Sequence, residues 1–409
     1  MTRLINRPKY IDELLAHKDV DLVKIVTGIR RCGKSSILDL YHQKLLDLGV
    51  DNEHILHMNM ESMRYSDLKD YKNFYEFVSE HIPKSGKAYL MFDELQVVAG
   101  WEKAIESFRL DFDVDIYITG SNAYMLSTDF STFLSGRYVE IKVLPLSFKE
   151  FITFNEFAQG VTKAEMFKKY LQFGGMPILK DYKFDELASF QALEGIYSTI
   201  ILKDILQRNG QTDQALLQKI FLFVCDNLGS VTSPNNIGNV LANSGELITG
   251  KIKAVAGKTV ERYLDMLCRA FICYPVSRFD VKGKQLLKTL GKYYLVDLGF
   301  RQMLLGNRRQ DLGHLLENVV YVELLRRGYN VYIGKVDDTE VDFIAEKFNE
   351  RVYLQVSLSL IDASTYDREM KPLQKIRDNH PKKVLTMDPI VSGNDNGVEI
   401  VNVLDWLLE

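Results

Sequence analysis

Cysteine is scarce in this chain, with four among 409 residues, at Cys32, Cys225, Cys268 and Cys273. None of them has the paired spacing of metal ligands, which argues against a zinc site, and so few argue against a disulfide framework. Continuous apolar stretches of about 20 residues, which a membrane span requires, are also missing. The N-terminal segment has no apolar core of signal-peptide length. The sequence therefore predicts a cytoplasmic protein with no membrane partner.

A strong excess of either charge is absent as well, because 51 Lys and Arg face 55 Asp and Glu, for a net charge of −4. That balance argues against a protein that coats nucleic acid over its whole surface, but it leaves room for a local basic patch. The hydrophobic content of 46% and the charged content of 26% are ordinary for a globular protein. The length allows two or three domains.

The most informative segment lies near the N-terminus, where residues 28–35 read Gly-Ile-Arg-Arg-Cys-Gly-Lys-Ser. In this pattern backbone N–H groups surround a polyphosphate, the lysine reaches the β- and γ-phosphates, and the serine hydroxyl ligates Mg²⁺. An apolar run at 22–27 precedes the segment and a helix follows it, as a phosphate site requires. The predicted ligands are therefore ATP and Mg²⁺, bound by Gly28, Arg31, Gly33, Lys34, Ser35 and Ser36.

Two further strands are predicted to end beside this loop. The apolar run at 88–92 ends in Asp93 and Glu94. We expect Asp93 to hold Mg²⁺ together with Ser35, and Glu94 to orient or polarise the attacking water. The run at 114–119 ends in Thr119 and is followed by Ser121 and Asn122. These three polar residues are candidates for sensing the γ-phosphate. The alternative for Ser121 and Asn122 is that they cap a helix.

Arginines supply the remaining catalytic candidate. Arg137 precedes a strand predicted at 139–143, and we expect it to act as an arginine finger from the same or a neighbouring subunit. A surface salt bridge is the alternative. Arg30 and Arg31 lie inside the loop, where contact with phosphate and contact with a partner subunit both remain open. The predicted catalytic residues are thus Lys34, Glu94 and Arg137.

These motifs together resemble one group of prokaryotic ATPases, the AAA-like AAA_14 proteins with a C-terminal DUF4143 region. The resemblance also rests on Leu-Ser-Gly-Arg-Tyr at 134–138 and Leu-Pro-Leu-Ser-Phe at 144–148. It implies an α/β fold, in which a five-stranded P-loop NTPase (AAA+-like) parallel sheet core has a helical lid, a winged helix-turn-helix middle domain and a restriction-nuclease-like C-terminal domain. We place these regions at 1–150, 151–210, 211–305 and 306–409.

The middle of the chain has helical periodicity that fits this division. Helices predicted at 163–171 and through 196–205 form the lid, and a Gly-Gly-Met-Pro turn at 174–177 separates them. Three helices from 216 onward precede a strand pair at 271–276 and 292–296, which is the outline of a winged helix. Ten Lys and Arg against three acids give residues 251–292 a charge of +7. The segment is therefore a candidate for contact with duplex DNA, with a protein partner as the alternative.

The C-terminal region has the element order of a nuclease fold but lacks part of its site. A helix at 315–325 carries Glu317 and Glu323, and a later strand carries Asp342. Active nucleases of this fold have Glu-x-Lys on the next strand, where this chain has Gln-Val-Ser at 355–357. We therefore expect a catalytically inactive domain. The alternative is an active site with a compensating Lys371 or Lys375. We expect Glu340 and Asp342 to lie in a solvated strand end.

The favoured function is an ATP-hydrolysing switch, in which nucleotide binding and hydrolysis change the conformation of the downstream domains. The alternative is a DNA-binding regulator or defence component, for which nucleotide occupancy rather than turnover is the signal. A small-molecule kinase is disfavoured because adjacent carboxylates suit water as the attacking group better than a metabolite. The sequence leaves open the choice between ATP and GTP and whether the chain forms a homo-oligomer or binds another protein.

Overall fold

A computed structural model describes most of the chain, in the ranges 4–126, 136–210, 212–243, 255–283, 285–306, 311–389 and 393–409. It divides into two compact units. The first is residues 1–145 with Arg269–Phe271, and the second is Leu146–Cys268 with Ile272–Glu409. The regions predicted as lid, winged helix and nuclease-like domain fall almost wholly in the second unit. Their separation at 210 and 305 stays a prediction.

The first unit is built on a five-stranded sheet in the order β2-β3-β4-β1-β5, all of whose pairs are parallel. Its strands are β1 (Val23–Thr27), β2 (Ile55–Asn59), β3 (Ala88–Asp93), β4 (Val114–Gly120) and β5 (Tyr138–Lys142). Its helices are α1 (Pro8–Ala16), α2 (Lys34–Asp47), α3 (Tyr71–His81) and α4 (Trp101–Asp111). Short 3-10 turns lie at Asn52–His54, Met63–Tyr65, Leu95–Val97 and Ala123–Leu126.

The central strands are apolar runs because the sheet is buried on both faces. Every residue of β1 and β3 is buried, and the four strands predicted from the sequence are confirmed. The fifth, β2, lies at the edge beside β3, and only Ile55 and Met58 of its five residues are buried. Since the strands are parallel, the residues that follow β1, β3 and β4 meet at the same edge of the sheet.

The second unit contains an eight-stranded mixed sheet in the order β12-β13-β11-β10-β9-β8-β6-β7. Its strands are β6 (Cys273–Asp280), β7 (Gln285–Leu295), β8 (Asn330–Val336), β9 (Thr339–Lys347), β10 (Glu350–Ser357), β11 (Lys382–Thr386), β12 (Gly393–Asp395) and β13 (Val398–Asn402). The predicted strand pair is the antiparallel hairpin β6–β7, and β6 also pairs in parallel with β8.

The helices of the second unit precede and cover this sheet. They are α5 (Phe148–Asn155), α6 (Lys163–Phe173), α7 (Glu186–Thr199), α8 (Gln214–Asp226), α9 (Pro234–Asn243), α10 (Gly257–Arg269), α11 (Leu298–Leu305), α12 (Leu312–Arg326), α13 (Ala363–Gln374) and α14 (Val403–Trp406). A 3-10 segment covers Pro177–Tyr182, and α7 continues as a π-helix at Ile200–Leu206 and a last turn at Gln207–Asn209. The predicted helices at 163–171, 216–228 and 315–325 are confirmed. Within the ranges given above, no helix is long and apolar enough to cross a membrane.

Candidate nucleotide site

Two glycines of the loop after β1 are required by its geometry. Gly28 has a φ of 150°, and a Cβ on it would lie 2.1 Å from the carbonyl oxygen of Val143. Gly33 precedes α2 with a φ of 104°, a conformation that glycine adopts without steric cost. The chain thus curves tightly before the N-terminus of α2, where backbone N–H groups favour an anion.

Lys34 is buried in the first turn of α2 and turns back onto the loop. Its Nζ donates to the carbonyl oxygens of Gly28 at 3.0 Å and Ile29 at 3.3 Å. The same nitrogen lies 3.7 Å from Oε1 of Glu94. The ammonium is therefore held by oxygens that phosphate oxygens can replace.

The other predicted loop residues are more exposed. The side chains of Arg31, Ser35 and Ser36 reach the surface, and Arg31 has a φ of 68°. A guanidinium nitrogen of Arg30 lies 3.3 Å from Oε1 of Glu61 and forms an ion pair with it. This pair was not predicted from the sequence. Cys32 is buried beneath the loop, and this burial raises the pKa of its thiol. Cys32 is therefore a packing residue of the loop.

Asp93 ends β3 and is almost completely buried. Its carboxylate accepts hydrogen bonds from Asn59 Nδ2 at 2.9 Å and from the Thr119 hydroxyl, and the Ser35 hydroxyl lies near it. Burial raises the pKa of Asp93, although Ser35 and Thr119 oppose that effect. The carboxylate thus lies against the first turn of α2, as a magnesium ligand should.

Glu94 follows in the left-handed region, with φ 54° and ψ 43°. Its backbone N–H donates to Thr119 Oγ1 at 2.9 Å, so one threonine is bonded to both acidic residues. Its Oε2 accepts from Gln96 Nε2 and, at 3.2 Å, from the Ser121 hydroxyl. Burial alone would raise the pKa of Glu94, but Lys34, Arg30 and the two donors lower it on balance. Glu94 is therefore held as a carboxylate.

The structure brings the predicted sensors to the same place. Thr119 is the last residue but one of β4 and lies next to Asp93, and Ser121 contacts Glu94. Asn122 is also buried there, and its carbonyl oxygen accepts from the backbone N–H of Met125 at 3.3 Å. The hydroxyl of Ser121 thus lies on the carboxylate of Glu94. The role of these side chains as γ-phosphate sensors stays a prediction.

Arg137 is not brought to this site. It is exposed, and its carbonyl oxygen accepts from the backbone N–H of Val23 at the start of β1. The loop follows the other end of β1, roughly 16 Å away for a five-residue strand. The prediction that Arg137 acts as an arginine finger on the phosphates of its own chain is therefore wrong. The preceding residues 133–135 of its motif lie outside the described part of the chain.

The residues present suit Mg²⁺ bound together with phosphate. Mg²⁺ prefers oxygen ligands and usually needs only one or two from the protein beside water and phosphate. Ser35 and Asp93, which lie near each other, supply a hydroxyl and a carboxylate. Over the described residues, no group of three or more His, Cys, Asp or Glu is arranged to hold a metal ion without such help.

Comparison with known proteins agrees with this geometry. The profile of an AAA domain, AAA_14, matches residues 21–152. The chain is 39% identical to an uncharacterized protein of Haemophilus influenzae, over 99% of both chains. The chain therefore belongs to the same family as this Haemophilus influenzae protein, and its residues 21–152 form an AAA_14 domain. An uncharacterized protein of Methanocaldococcus jannaschii is 26% identical over 98% of the AAA_14 chain and 88% of its own.

A solved structure and a second profile extend the comparison. A Walker-type ATPase of Pyrococcus abyssi has a similar fold, with a TM-score of 0.51 at 14% identity over 73% of the AAA_14 chain and 95% of its own. The predicted AAA-like P-loop ATPase is thus confirmed at the level of family and fold. Residues 164–311 match a different domain of unknown function, DUF8612. The DUF4143 part of the resemblance is therefore not confirmed.

The second unit of this protein has a pocket of about 540 Å³ that brings together four residues noted in the sequence. They are Glu317 of α12, Glu340 and Asp342 of β9, and Gln355 of β10. Gln355 Oε1 accepts from the backbone N–H of Asp342 at 3.2 Å, and its Nε2 donates to Glu369 at 2.8 Å. Glu323 is not in the pocket lining, because it pairs with Arg326 and Arg327.

A buried cation that pairs with two carboxylates of this pocket was missed from the sequence. Lys292 of β7 is buried between Glu317, at 2.8 Å, and Glu340, at 2.7 Å. The lysines that we predicted as compensating, Lys371 and Lys375, are exposed and do not line the pocket. The solvated strand end suggested for Glu340 and Asp342 is also wrong, because Glu340 pairs with buried Lys292 and Asp342 lies in the pocket wall.

The charges of the pocket largely cancel. Burial alone would raise the pKa of Glu317, but His314 and Lys292 lower it. Burial alone would lower the pKa of Lys292, but its carboxylate neighbours raise it. Asp342 has a raised pKa because it is buried and because Glu317 is close. Lys292 and Glu317 are therefore both charged, while Asp342 tends to keep its proton.

Three residues of these sites had little signal in the sequence. Asn59 ends an edge strand that was not predicted, and its contact with Asp93 depends on the sheet order. Gln96 reaches Glu94 only because of the turn between them. Lys292 was counted with a basic surface. In each case the partner is set by pairing or by backbone geometry rather than by a local motif.

Proposed function

We propose that this AAA_14 protein binds and hydrolyses MgATP at the loop between β1 and α2. The observation that carries the proposal is the convergence of Lys34, Ser35, Asp93 and Glu94 at one edge of the first sheet. Their residue types fit phosphoryl transfer to water, which relies on positioning and charge stabilisation more than on covalent chemistry. A cytoplasmic location remains an expectation from the sequence, which leaves the choice between ATP and GTP open.

Each of these side chains has a distinct task in the proposed reaction. Lys34 exchanges the loop carbonyls for the β- and γ-phosphate oxygens and neutralises charge there. Ser35 and Asp93 would hold Mg²⁺, which would supply positive charge to offset the negative charge of the phosphates. Glu94, kept ionised by its neighbours, orients the attacking water and accepts its proton. Arg137 remains a candidate only for the site of a neighbouring subunit.

The switch is the finer part of the proposal. Thr119 and Ser121 connect the end of β4 to Asp93 and Glu94 by hydrogen bonds. A shift of these carboxylates when the phosphates change would therefore move the end of β4. We infer that nucleotide binding orders this edge of the sheet and that hydrolysis releases it. The helical lid, winged-helix and nuclease-like regions are the proposed recipients of this change.

Turnover of ATP by purified protein tests the site directly. We expect Lys34→Ala to lose nucleotide binding, because the substitution removes the buried ammonium that lies on the loop. We expect Glu94→Gln to bind ATP normally but to hydrolyse it at least about 100-fold more slowly. Exposed residues of α3 supply matched controls, Lys72→Ala and Glu76→Gln. Wild-type turnover in Glu94→Gln would contradict the assignment of the base.

DNA binding by the second unit is the alternative function. Three helices followed by the β6–β7 hairpin, with a bridge between Thr232 and Gly291, support a winged helix. Its charge offers less support than the sequence suggested. Lys292 is neutralised in the pocket, and the exposed residues of α10 are Lys258, Glu261, Arg262 and Asp265, which balance. Lys251, Lys253 and Lys284 lie outside the described residues.

Duplex DNA separates the two functions experimentally. If the winged helix contacts phosphates, binding falls steeply as salt is raised, and turnover of ATP rises with DNA. Turnover that is indifferent to DNA would favour a protein partner.

The nuclease-like region is proposed to be inactive, because Gln355 and Ser357 replace charged groups and Lys292 already neutralises the carboxylates that it contacts. Cleavage of DNA in the presence of Mg²⁺ would contradict this.

A further inference from the structure

The turn after Glu94 folds the chain back onto the glutamate's own carboxylate. Side chains two residues apart rarely face each other in regular helices. Here the left-handed conformation of Glu94 leads into the 3-10 turn Leu95–Val97, and Leu95 is fully buried in the core. As a result, Gln96 Nε2 donates to Oε2 of Glu94.

The two oxygens of Glu94 have different partners. Oε2 accepts from Gln96 and, at 3.2 Å, from Ser121. Oε1 faces Lys34 at 3.7 Å, and the other charges acting on the carboxylate are Arg30 of the loop and Asp93 of its own strand. When Lys34 turns to phosphate, Oε1 loses its cation while both bonds to Oε2 remain.

We propose that Gln96 is a positioning residue that fixes Oε2 of Glu94, so that Oε1 is the oxygen presented to the attacking water. This inference rests on the proposed hydrolysis of ATP at the same site. The orientation of the amide follows from charge, because its carbonyl oxygen would be repelled by a carboxylate.

The same amide contributes little to folding stability. Its Oε1 is buried and has no hydrogen-bond partner in the part of the chain that the structure describes. This oxygen lies beside Gly120, where a Cβ would be 3.2 Å from it. A buried unpaired acceptor costs free energy that offsets the bond made by the other end. We therefore expect Gln96→Ala to remain folded.

Kinetics of Gln96→Ala test the proposal. The expected result is a kcat lowered roughly ten-fold, with KM and ATP affinity unchanged, because orientation is lost only at the base. Gln43→Ala, an exposed glutamine of α2, is the matched control.

A double-mutant cycle separates this inference from the proposed function. If Gln96 acts through Glu94, adding Gln96→Ala to Glu94→Gln should lower kcat no further. Full activity of Gln96→Ala, or a further loss in the Glu94→Gln background, would overturn the positioning role alone. Absence of turnover in wild-type protein would overturn the proposed hydrolysis, and the positioning role with it.

Discussion

Charged side chains inside the first sheet are buried as a pair. Lys24 of β1 and Asp115 of β4 form an ion pair, with side chains 0% and 1% exposed. Asp115 also accepts from the Asp19 backbone N–H at 2.8 Å and from the Tyr117 hydroxyl at 2.7 Å, and Lys24 donates to Val20 at 2.8 Å. Each charge is thus satisfied by its neighbours, which is the condition for burying it.

Breaking this pair should destabilise the first unit. We expect Asp115→Asn to lower its free energy of unfolding by about 3 kcal/mol, because the Lys24 ammonium stays buried without a counter-charge. Denaturation followed by Trp101 fluorescence in a Trp406→Phe background measures this. Asp113→Asn, at a side chain 66% exposed, is the control and should change stability by less than about 0.5 kcal/mol. Equal stability of the two variants would contradict the prediction.

At the scale of elements, one carboxylate joins a turn to a helix in the second unit. Asp297 caps α11 by accepting from Gly299 at 2.8 Å, and it accepts from the Gly175 backbone N–H at 2.6 Å. A Cβ on Gly174 would lie 1.9 Å from Asp297, and one on Gly175 would lie 2.4 Å from the Leu146 carbonyl oxygen. The glycines of the predicted lid turn are therefore explained by the close approach of these neighbours.

This carboxylate makes the stability of the second unit depend on pH. Burial raises the pKa of Asp297 from 3.8 to about 6, although its two backbone donors oppose the rise. A carboxyl whose pKa rises on folding stabilises the native state fully below its unfolded pKa, and this contribution is lost as pH rises through the folded value. Between about pH 5 and pH 7 the loss is about 1 kcal/mol.

The variant Asp297→Asn isolates that effect because its side chain does not titrate. We expect wild type to exceed it in free energy of unfolding near pH 5, since the amide keeps only one of the two acceptors. The difference should shrink by about 1 kcal/mol at about pH 7. Urea denaturation followed by Trp406 in a Trp101→Phe background reports the second unit, with the exposed Asp181→Asn as control. A difference that is constant with pH would refute the assignment.

At the scale of the whole molecule, each unit has its own core and its own tryptophan. Phe74, Phe92 and Phe108 pack in the core of the first unit, which also contains Trp101. The second unit has a separate core around Tyr353 and Leu373. Its tryptophan, Trp406, packs under the guanidinium of Arg327, 4.1 Å from the ring centre. The two tryptophans therefore report on different units.

These reporters test the proposed switch. MgATP at about 100 times its Kd should stabilise the first unit by about 2.7 kcal/mol, which the Trp101 transition records. If nucleotide state is passed to the second unit, the Trp406 transition should shift in the same direction. Lys34→Ala should abolish both shifts. A shift of Trp101 alone would leave the ATPase intact and contradict the coupling.

Local pattern was sufficient for much of this protein. The spacing of Gly28, Gly33, Lys34 and Ser35 predicted the loop, because phosphate binding depends on a short continuous backbone segment. The carboxylates Asp93 and Glu94 were identified because they end an apolar strand. The helices and strands of the second unit were largely identified from periodicity, which reflects only neighbouring residues.

Tertiary structure decided which residues, far apart in the sequence, lie in the same site. Arg137 was assigned by its place in a motif, but strand pairing puts it at the opposite edge of the sheet from the loop. Lys292 was read as a surface cation, but β7 carries it into the pocket of Glu317. Gln96 reaches Glu94 through one left-handed residue. The sequence by itself determined the phosphate loop and the order of elements, whereas strand partners and turn geometry, which depend on long-range packing, decided the neighbours of each charged group.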